Sequence, residues 1–136
     1  MPRQIFVNFP VKNLERSMDF FRKLGFEFNP QFTNEQAACM IIEKDSSYAM
    51  LLVEPFFKTF IEKNIADASK STEVLTAVSL DNRAEVDRLV DIAIKVGGSE
   101  ARPPLDMGFM YNRAFNDLDG HTWEFFHMDM SKMPKA

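Results

Sequence analysis

One glutamate near the C-terminal end of the chain lies in a segment that is otherwise apolar and aromatic. Residues 114–126 predict a strand, a tight turn and a second strand, because Asp119 and Gly120 form a typical hairpin dipeptide. Glu124 falls inside the second strand. Burying a carboxylate is costly unless it is paired or bound, and a carboxyl that loses its water suits acid–base chemistry. Glu124 is therefore the candidate catalytic residue.

Composition excludes several function classes. The 136 residues carry a net charge of −4, which disfavours a nucleic-acid partner or an anionic membrane surface. Cys39 is the single cysteine, so the chain has no internal disulfide and no cysteine-based zinc cluster. No apolar run approaches the roughly 20 residues of a membrane span, and the N-terminal residues lack the apolar segment of a signal peptide. We expect a cytoplasmic protein.

The first half of the chain predicts a strand, a helix and three further strands. Asn13 is a typical N-cap residue, the apolar residues after it recur at helical spacing, and Gly25 ends the helix. Residues 4–53 therefore form one predicted βαβββ module.

The same order of elements recurs in residues 73–128. Asn82 and Glu85 form a capping-box pattern before the second helix, which a pair of glycines ends. Residues 54–71 form a linker, which is either a simple connection or a flap over a pocket. The sequence thus predicts one α+β domain over residues 1–136, built from two βαβββ modules.

The duplicated module resembles the vicinal oxygen chelate superfamily, which includes glyoxalase I, bleomycin-resistance proteins, extradiol dioxygenases and methylmalonyl-CoA epimerase. Residues 11–26 (VKNLERSMDFFRKLGF) and 115–124 (FNDLDGHTWE) carry the resemblance, and the chain looks closest to bacterial proteins of lactoylglutathione-lyase-like type. The resemblance implies two curved mixed sheets around a cleft, with the helices outside. It also implies a homodimer, since such modules commonly pair between chains.

Members of this superfamily hold a divalent metal with side chains from the first and last strand of each module. The resemblance places these four positions at Phe6, Leu51, Leu75 and Glu124. Phenylalanine and leucine have no lone pairs for a metal, and one carboxylate alone does not hold a divalent ion usefully. The two histidines lie three residues on either side of Glu124 and face away from it on a strand. We therefore expect neither a metal nor another cofactor.

Strand alternation and the resemblance together suggest which side chains line the cleft. Thr122 and Phe126 share the face of Glu124 by alternation, while Tyr111 and Arg113 are candidates to meet an anionic ligand. Alternatively, Arg113 or another basic residue neutralises Glu124, or Arg113 pairs with Asp117 at the surface. The full set of candidate ligand-binding residues is Phe6, Asn8, Leu51, Glu73, Leu75, Tyr111, Arg113, Thr122 and Phe126.

These observations favour a metal-free protein of bleomycin-resistance type that binds a small apolar or aromatic molecule. The 14 phenylalanines and nine methionines suit an adaptable apolar cavity, although core filling explains them as well. The alternative is a glyoxalase-like lyase or isomerase, metal-free if Glu124 is a general base. A purely structural domain is a third interpretation, so the sequence leaves open whether the chain is an enzyme.

Overall fold

The computed structural model describes residues 2–133, which divide into two compact units between residues 66 and 67. Each unit contains one four-stranded mixed sheet. The predicted α+β class with two βαβββ modules is confirmed, because both units show the order strand, helix and three strands.

In the first unit the strand order is β1-β4-β3-β2, with β1 and β4 parallel and the other pairs antiparallel. A short 3-10 helix, Pro30–Phe32, follows β2. The elements of this unit are β1 Ile5–Val11, α1 Leu14–Lys23, β2 Glu27–Asn29, β3 Ala37–Glu43, β4 Ser47–Val53 and α2 Glu54–Lys58.

Helix α1 begins at the predicted cap. The side chain of Asn13 accepts a hydrogen bond from the backbone N–H of Arg16 at 3.1 Å, which satisfies one of the unpaired donors of the first turn. The helix packs on β3 and β4 through its buried apolar residues Leu14, Met18, Phe20 and Phe21.

The second unit has the strand order β5-β8-β7-β6, with β5 and β8 parallel and the other pairs antiparallel. A 3-10 helix, Met130–Lys132, follows the last strand. The elements of this unit are β5 Thr76–Ser79, α3 Arg83–Lys95, β6 Ser99–Asp106, β7 Met110–Asn116 and β8 Thr122–Met128.

Helix α3 covers one face of the second sheet. Asn82 caps it by accepting from the N–H of Glu85 at 2.8 Å. The buried apolar residues of α3 pack against three fully buried aromatic side chains of β7 and β8. Side chains of a strand alternate between its faces, so the core of this unit lies between α3 and the sheet. That core contains Val86, Leu89, Val90, Ala93, Phe115, Trp123 and Phe125.

The turn between β7 and β8 is organised by a buried aspartate. Asp117 accepts hydrogen bonds from the indole N–H of Trp123 and from the backbone N–H groups of Asp119 and His121, each at 3.0 Å. Gly120 lies at φ +92°, the left-handed region that glycine tolerates best. The hairpin predicted from the Asp-Gly pair is therefore confirmed.

Two strands differ from the bounds that the sequence predicts, which are residues 73–80 for β5 and a short extended piece near residues 100–102 for β6. β5 begins at Thr76, so Glu73 and Leu75 precede the strand instead of belonging to it. β6 is longer than expected and runs through Pro103 and Pro104 to Asp106. Two adjacent prolines are tolerated there because β6 is the edge strand of its sheet and its pairing with β7 is irregular between Arg102 and Leu105. Within residues 2–133, no helix is both long and apolar enough to cross a membrane.

Candidate functional site

The face of the second sheet opposite α3 carries Glu124. Strand register places Ala114 beside Glu124 and, on the edge strand, Arg102 beside Ala114. Two residues further along, and on the same face, Asn112 pairs with Phe126. We call this surface the Glu124 face; it consists of Ala77, Arg102, Leu105, Met110, Asn112, Ala114, Asn116, Thr122, Glu124, Phe126 and Met128.

Three polar side chains on this face form one hydrogen-bonded group. The guanidinium of Arg102 donates from Nη2 to Oε2 of Glu124 at 3.1 Å, and Nδ2 of Asn112 donates to Oε1 at 3.2 Å. Arg102 also donates to Oδ1 of Asn112. The carboxylate therefore receives one donor on each oxygen, and Asn112 bridges the two charged groups.

This group is largely removed from water. The side chain of Glu124 is 15% exposed and that of Arg102 is 29% exposed, while Asn112 is buried. The charges of Arg102 and Glu124 therefore attract each other more strongly than they would in water. Removing either charge would leave the other one largely buried without a counter-charge. Of the alternatives left open by the sequence, the structure therefore supports neutralisation of Glu124, by Arg102 and not by Arg113.

Arg113 and Tyr111 lie on the opposite face of the sheet, beneath α3. Arg113 pairs with Asp87 at 3.1 Å, with Asp91 at 2.8 Å and with Glu100 at 3.0 Å. Burial lowers the pKa of the guanidinium, but hydrogen bonds to the three acidic partners outweigh it and raise that pKa above the ordinary value.

The hydroxyl of Tyr111 donates to Oδ1 of Asp87 at 2.7 Å. Burial and this hydrogen bond raise the pKa of Tyr111. Tyr111 and Arg113 thus join helix α3 to the sheet, away from the Glu124 face. The structure does not support the alternative that Arg113 pairs with Asp117, because its acidic partners are Asp87, Asp91 and Glu100.

The other predicted ligand-binding residues of the second unit lie either on the Glu124 face or just before β5. Thr122 lies on the Glu124 face, where its hydroxyl donates to Oδ1 of Asn116 at 2.7 Å. Phe126 lies there too and is half-buried. Leu75 is 55% exposed just before β5, and Glu73 is also exposed. Thr122, Phe126 and Glu124 are therefore the predicted site residues that this sheet brings together.

In the first unit, register separates residues that were expected to share a face. Phe6 pairs with Tyr48, and the two rings stack with centroids 4.6 Å apart. Asn8, on the same face, pairs with Met50. Leu51 pairs with Phe9 and so lies on the other face, where it is fully buried. The prediction that Leu51 accompanies Phe6 and Asn8 is wrong by one residue, which on a strand reverses the face.

The donor set does not fit the divalent metal that the superfamily holds. Among the described residues, no three histidine, cysteine, aspartate or glutamate side chains are grouped as an ion would require. Both oxygens of Glu124 already accept from protein donors, and the Arg102 guanidinium places a positive charge 3.1 Å from one of them. A cation beside the carboxylate opposes the approach of a second cation.

Sequence reasoning missed Arg102 and Asn112. The strand that carries Arg102 has two register irregularities, one on each side of this residue, so simple alternation does not assign its face. Asn112 lies two positions from Ala114 on β7 and could have been placed on the Glu124 face by period-two counting alone.

Known proteins match this chain in part of its sequence and in its fold. Residues 3–43 match a family model described as bleomycin resistance protein-like N-terminal. No curated protein sequence matches the chain. The hypothetical protein SA1046 of S. aureus is 26% identical, covers 93% of this chain and 95% of its own, and superposes with a TM-score of 0.77.

Two further solved structures share the fold at lower identity. A glyoxalase/bleomycin resistance protein/dioxygenase family enzyme of Burkholderia phytofirmans is 15% identical, with a TM-score of 0.73 over 90% of this chain and 96% of its own. The fosfomycin resistance protein FosX of Mesorhizobium loti is 16% identical, with a TM-score of 0.68 over 96% of both chains. At these identities the likeness establishes the fold alone.

Proposed function

We propose that this member of the vicinal oxygen chelate superfamily binds a small apolar or aromatic molecule on the Glu124 face, without a resident metal. The observation that carries the proposal is the Arg102–Glu124 pair. The carboxylate that the resemblance places at a superfamily metal-ligand position is held by a guanidinium and an amide of the same chain.

The surroundings of the pair support a small-molecule site. Phe126 lies beside Asn112 in the register, Ala114 lies beside Glu124, and Met110 and Met128 pair at the end of the same face. Apolar walls around a few fixed polar groups are the usual make-up of a ligand site. Methionine side chains adapt to varied shapes, which suits a binding protein with several related ligands.

The polar group can orient a ligand without doing chemistry on it. Each oxygen of Glu124 accepts one hydrogen bond from the protein, and a carboxylate oxygen has two acceptor positions. A ligand N–H or O–H can therefore reach the remaining positions while its apolar part contacts Phe126.

General-base catalysis by Glu124 receives less support. Taking a proton from a substrate would neutralise the carboxylate and leave the largely buried guanidinium of Arg102 without its counter-charge. Uncompensated charge in such surroundings is costly. The same pair that organises a binding site therefore disfavours the metal-free lyase or isomerase interpretation.

Binding is tested with a neutral aromatic probe, N-phenyl-1-naphthylamine, whose fluorescence rises in apolar surroundings. We expect saturable binding to the wild-type chain and at least a several-fold weaker affinity in Phe126→Ala and Glu124→Gln. Arg88→Met is the matched control, because Arg88 lies in an exposed pair with Glu85 on α3. Equal affinity in all four proteins would contradict the proposal.

A second experiment separates binding from metal-dependent catalysis. Equilibrium dialysis against Ni²⁺ or Zn²⁺ should show no stoichiometric metal in the wild-type chain. Stoichiometric binding that disappears in Glu124→Ala would overturn the metal-free proposal and favour a glyoxalase-like lyase. Native mass spectrometry of the purified protein would then identify any molecule that stays bound.

A further inference from the structure

A separate cavity of about 420 Å³ lies where α3 begins. It does not include the Glu124 face, because His127, which lies in its wall, is on the α3 side of the sheet, paired with Tyr111. The cavity is lined by Asn82, Arg83, Ala84, Gly108, Phe109, His127, Asp129 and Lys132. Its volume is in the range of small-molecule sites.

One cation in this wall is held in a fixed position. Arg83 donates to both carboxylate oxygens of Asp106, at 2.8 Å and 2.9 Å, and to the carbonyl of Gly108 at 3.1 Å. Its guanidinium also lies 5.1 Å from the ring centroid of Tyr111. A side chain restrained on several sides loses little further freedom when a ligand binds.

The second cation has a different environment. Lys132 makes no ion pair within 4.0 Å among residues 2–133, whereas the nearby carboxylate of Asp129 accepts from the N–H of Ser131 at 3.0 Å and from its hydroxyl at 2.6 Å. The lining contains two cationic side chains, Arg83 and Lys132, and the carboxylate of Asp129. Asp106 lies just outside the lining and already neutralises Arg83. Among the described residues, Lys132 is therefore the cation of this lining without an ion pair, and its ammonium favours an anionic group beside it in the cavity.

His127 adds a polar group whose orientation is set by the backbone. Its Nδ1 lies 2.9 Å from the carbonyl oxygen of Leu80. A carbonyl only accepts, so we assign the proton to Nδ1, which makes Nε2 the acceptor in the neutral ring and a donor in the protonated ring. Phe109 supplies an apolar wall.

We propose that this cavity binds a small organic anion, a carboxylate or phosphate ester with an apolar or aromatic body. The anionic group contacts Arg83 and Lys132, and the body packs against Phe109. The first N–H groups of the 13-residue helix α3 add to the attraction but do not carry the proposal. The site is independent of the Glu124 face.

The test is an NMR titration of the ¹⁵N-labelled chain with two probes that share a ring and differ in charge group, phenyl phosphate and benzoate. We expect saturable shifts of the Ala84 and Gly108 amides with at least one probe. The probe that binds with the higher affinity identifies the preferred anionic group. Lys132→Glu should weaken that binding at least tenfold.

Lys95→Glu is the matched control, because Lys95 lies in the last turn of the same helix and the substitution changes the net charge equally. Wild-type affinity in this control, together with loss in Lys132→Glu, supports a local site. Absence of saturable shifts with both probes, or equal loss in the two variants, would overturn the proposal. Fluorescence binding of the neutral naphthylamine probe in Lys132→Glu should remain at the wild-type level, which distinguishes the two sites.

Discussion

Arg102 on the edge strand β6 and Glu124 on the inner strand β8 meet with Nη2 and Oε2 3.1 Å apart. Asn112, on the strand between them, donates to the other carboxylate oxygen. The positive charge near this carboxylate therefore belongs to the chain itself. The guanidinium of Arg102 is thus a counter-ion of Glu124 that is covalently part of the chain and cannot dissociate from it.

This relationship predicts strong coupling between the two residues. Glu124→Gln and Arg102→Met should each lower the free energy of unfolding by about 1–3 kcal/mol at neutral pH, because each leaves a largely buried charge uncompensated. The double variant should lose less than the sum of the single losses. Urea denaturation of the four proteins measures the coupling, with the exposed Arg88–Glu85 pair as a weakly coupled control. Additive losses would contradict this account.

Gly120 and Gly25 form a matched pair for the turn before β8. Both have positive φ, +92° and +97°, but an added Cβ at Gly120 would lie 2.9 Å from the carbonyl oxygen of Ala68, whereas Gly25 has open space. Gly25→Ala should cost about 1–2 kcal/mol from backbone strain alone. Gly120→Ala should cost clearly more, because the backbone at Ala68 must also shift. Thermal denaturation of both variants provides the comparison, and equal losses would show that residue 68 does not pack on the turn.

Asp117 should contribute more to the stability of the fold than an aspartate in an exposed turn would. Asp117→Ala removes the acceptor of three N–H groups, one of them the indole of the fully buried Trp123. Each buried donor left unpaired costs about 1–3 kcal/mol, so we expect a loss of at least that size. Fluorescence of the single tryptophan reports both unfolding and the change at the indole. Asp19→Ala, which removes an equal charge from the exposed face of α1, should leave both nearly unchanged.

The Arg83–Asp106 pair predicts a pH dependence. Hydrogen bonds from the guanidinium of Arg83 and from the backbone N–H of Gly108 lower the pKa of Asp106 to about 2. Because the pKa of an unfolded aspartate is about 3.9, this pair stabilises the fold above that pH, and the contribution is lost as pH falls from about 4 to about 2. Asp106→Asn should therefore lose less stability than the wild-type chain over this interval. Urea denaturation at several pH values between about 2 and 5 compares the two proteins, and an equal loss of stability in both would contradict this account.

The sequence was a good guide where local signals agreed. Asn13 and Asn82 mark the starts of α1 and α3, and the Asp-Gly pair marks the turn before β8. The bounds of β5 and β6 were wrong. β6 contains two prolines that argue against a strand. They are acceptable because β6 is an edge strand and its pairing with β7 is irregular at these residues, and both features depend on the arrangement of the whole sheet.

The site was predicted in part. Glu124 stood out as a carboxylate among aromatic residues, and Thr122 and Phe126 followed by alternation. Arg102 could not be placed by alternation, because the irregular register of β6 determines which face of the sheet its side chain lies on. Leu51 was misplaced by one position, since β4 pairs in parallel with a strand more than 35 residues away and the sequence holds no turn to fix that register. The homodimer and the cytoplasmic location stay predictions.

The parallel pairing of the first and last strands of each unit has a consequence for biosynthesis. β1 lies against β4, and β5 lies against β8, so the first and last strands of each unit are neighbours. Neither sheet has its full set of partners until its last strand has been made. All four strands of the first sheet are present once residue 53 has left the ribosome, whereas the second sheet is complete only when residue 128 has been made. A nascent chain therefore passes through a stage with one complete sheet and one lacking the strand that carries Glu124.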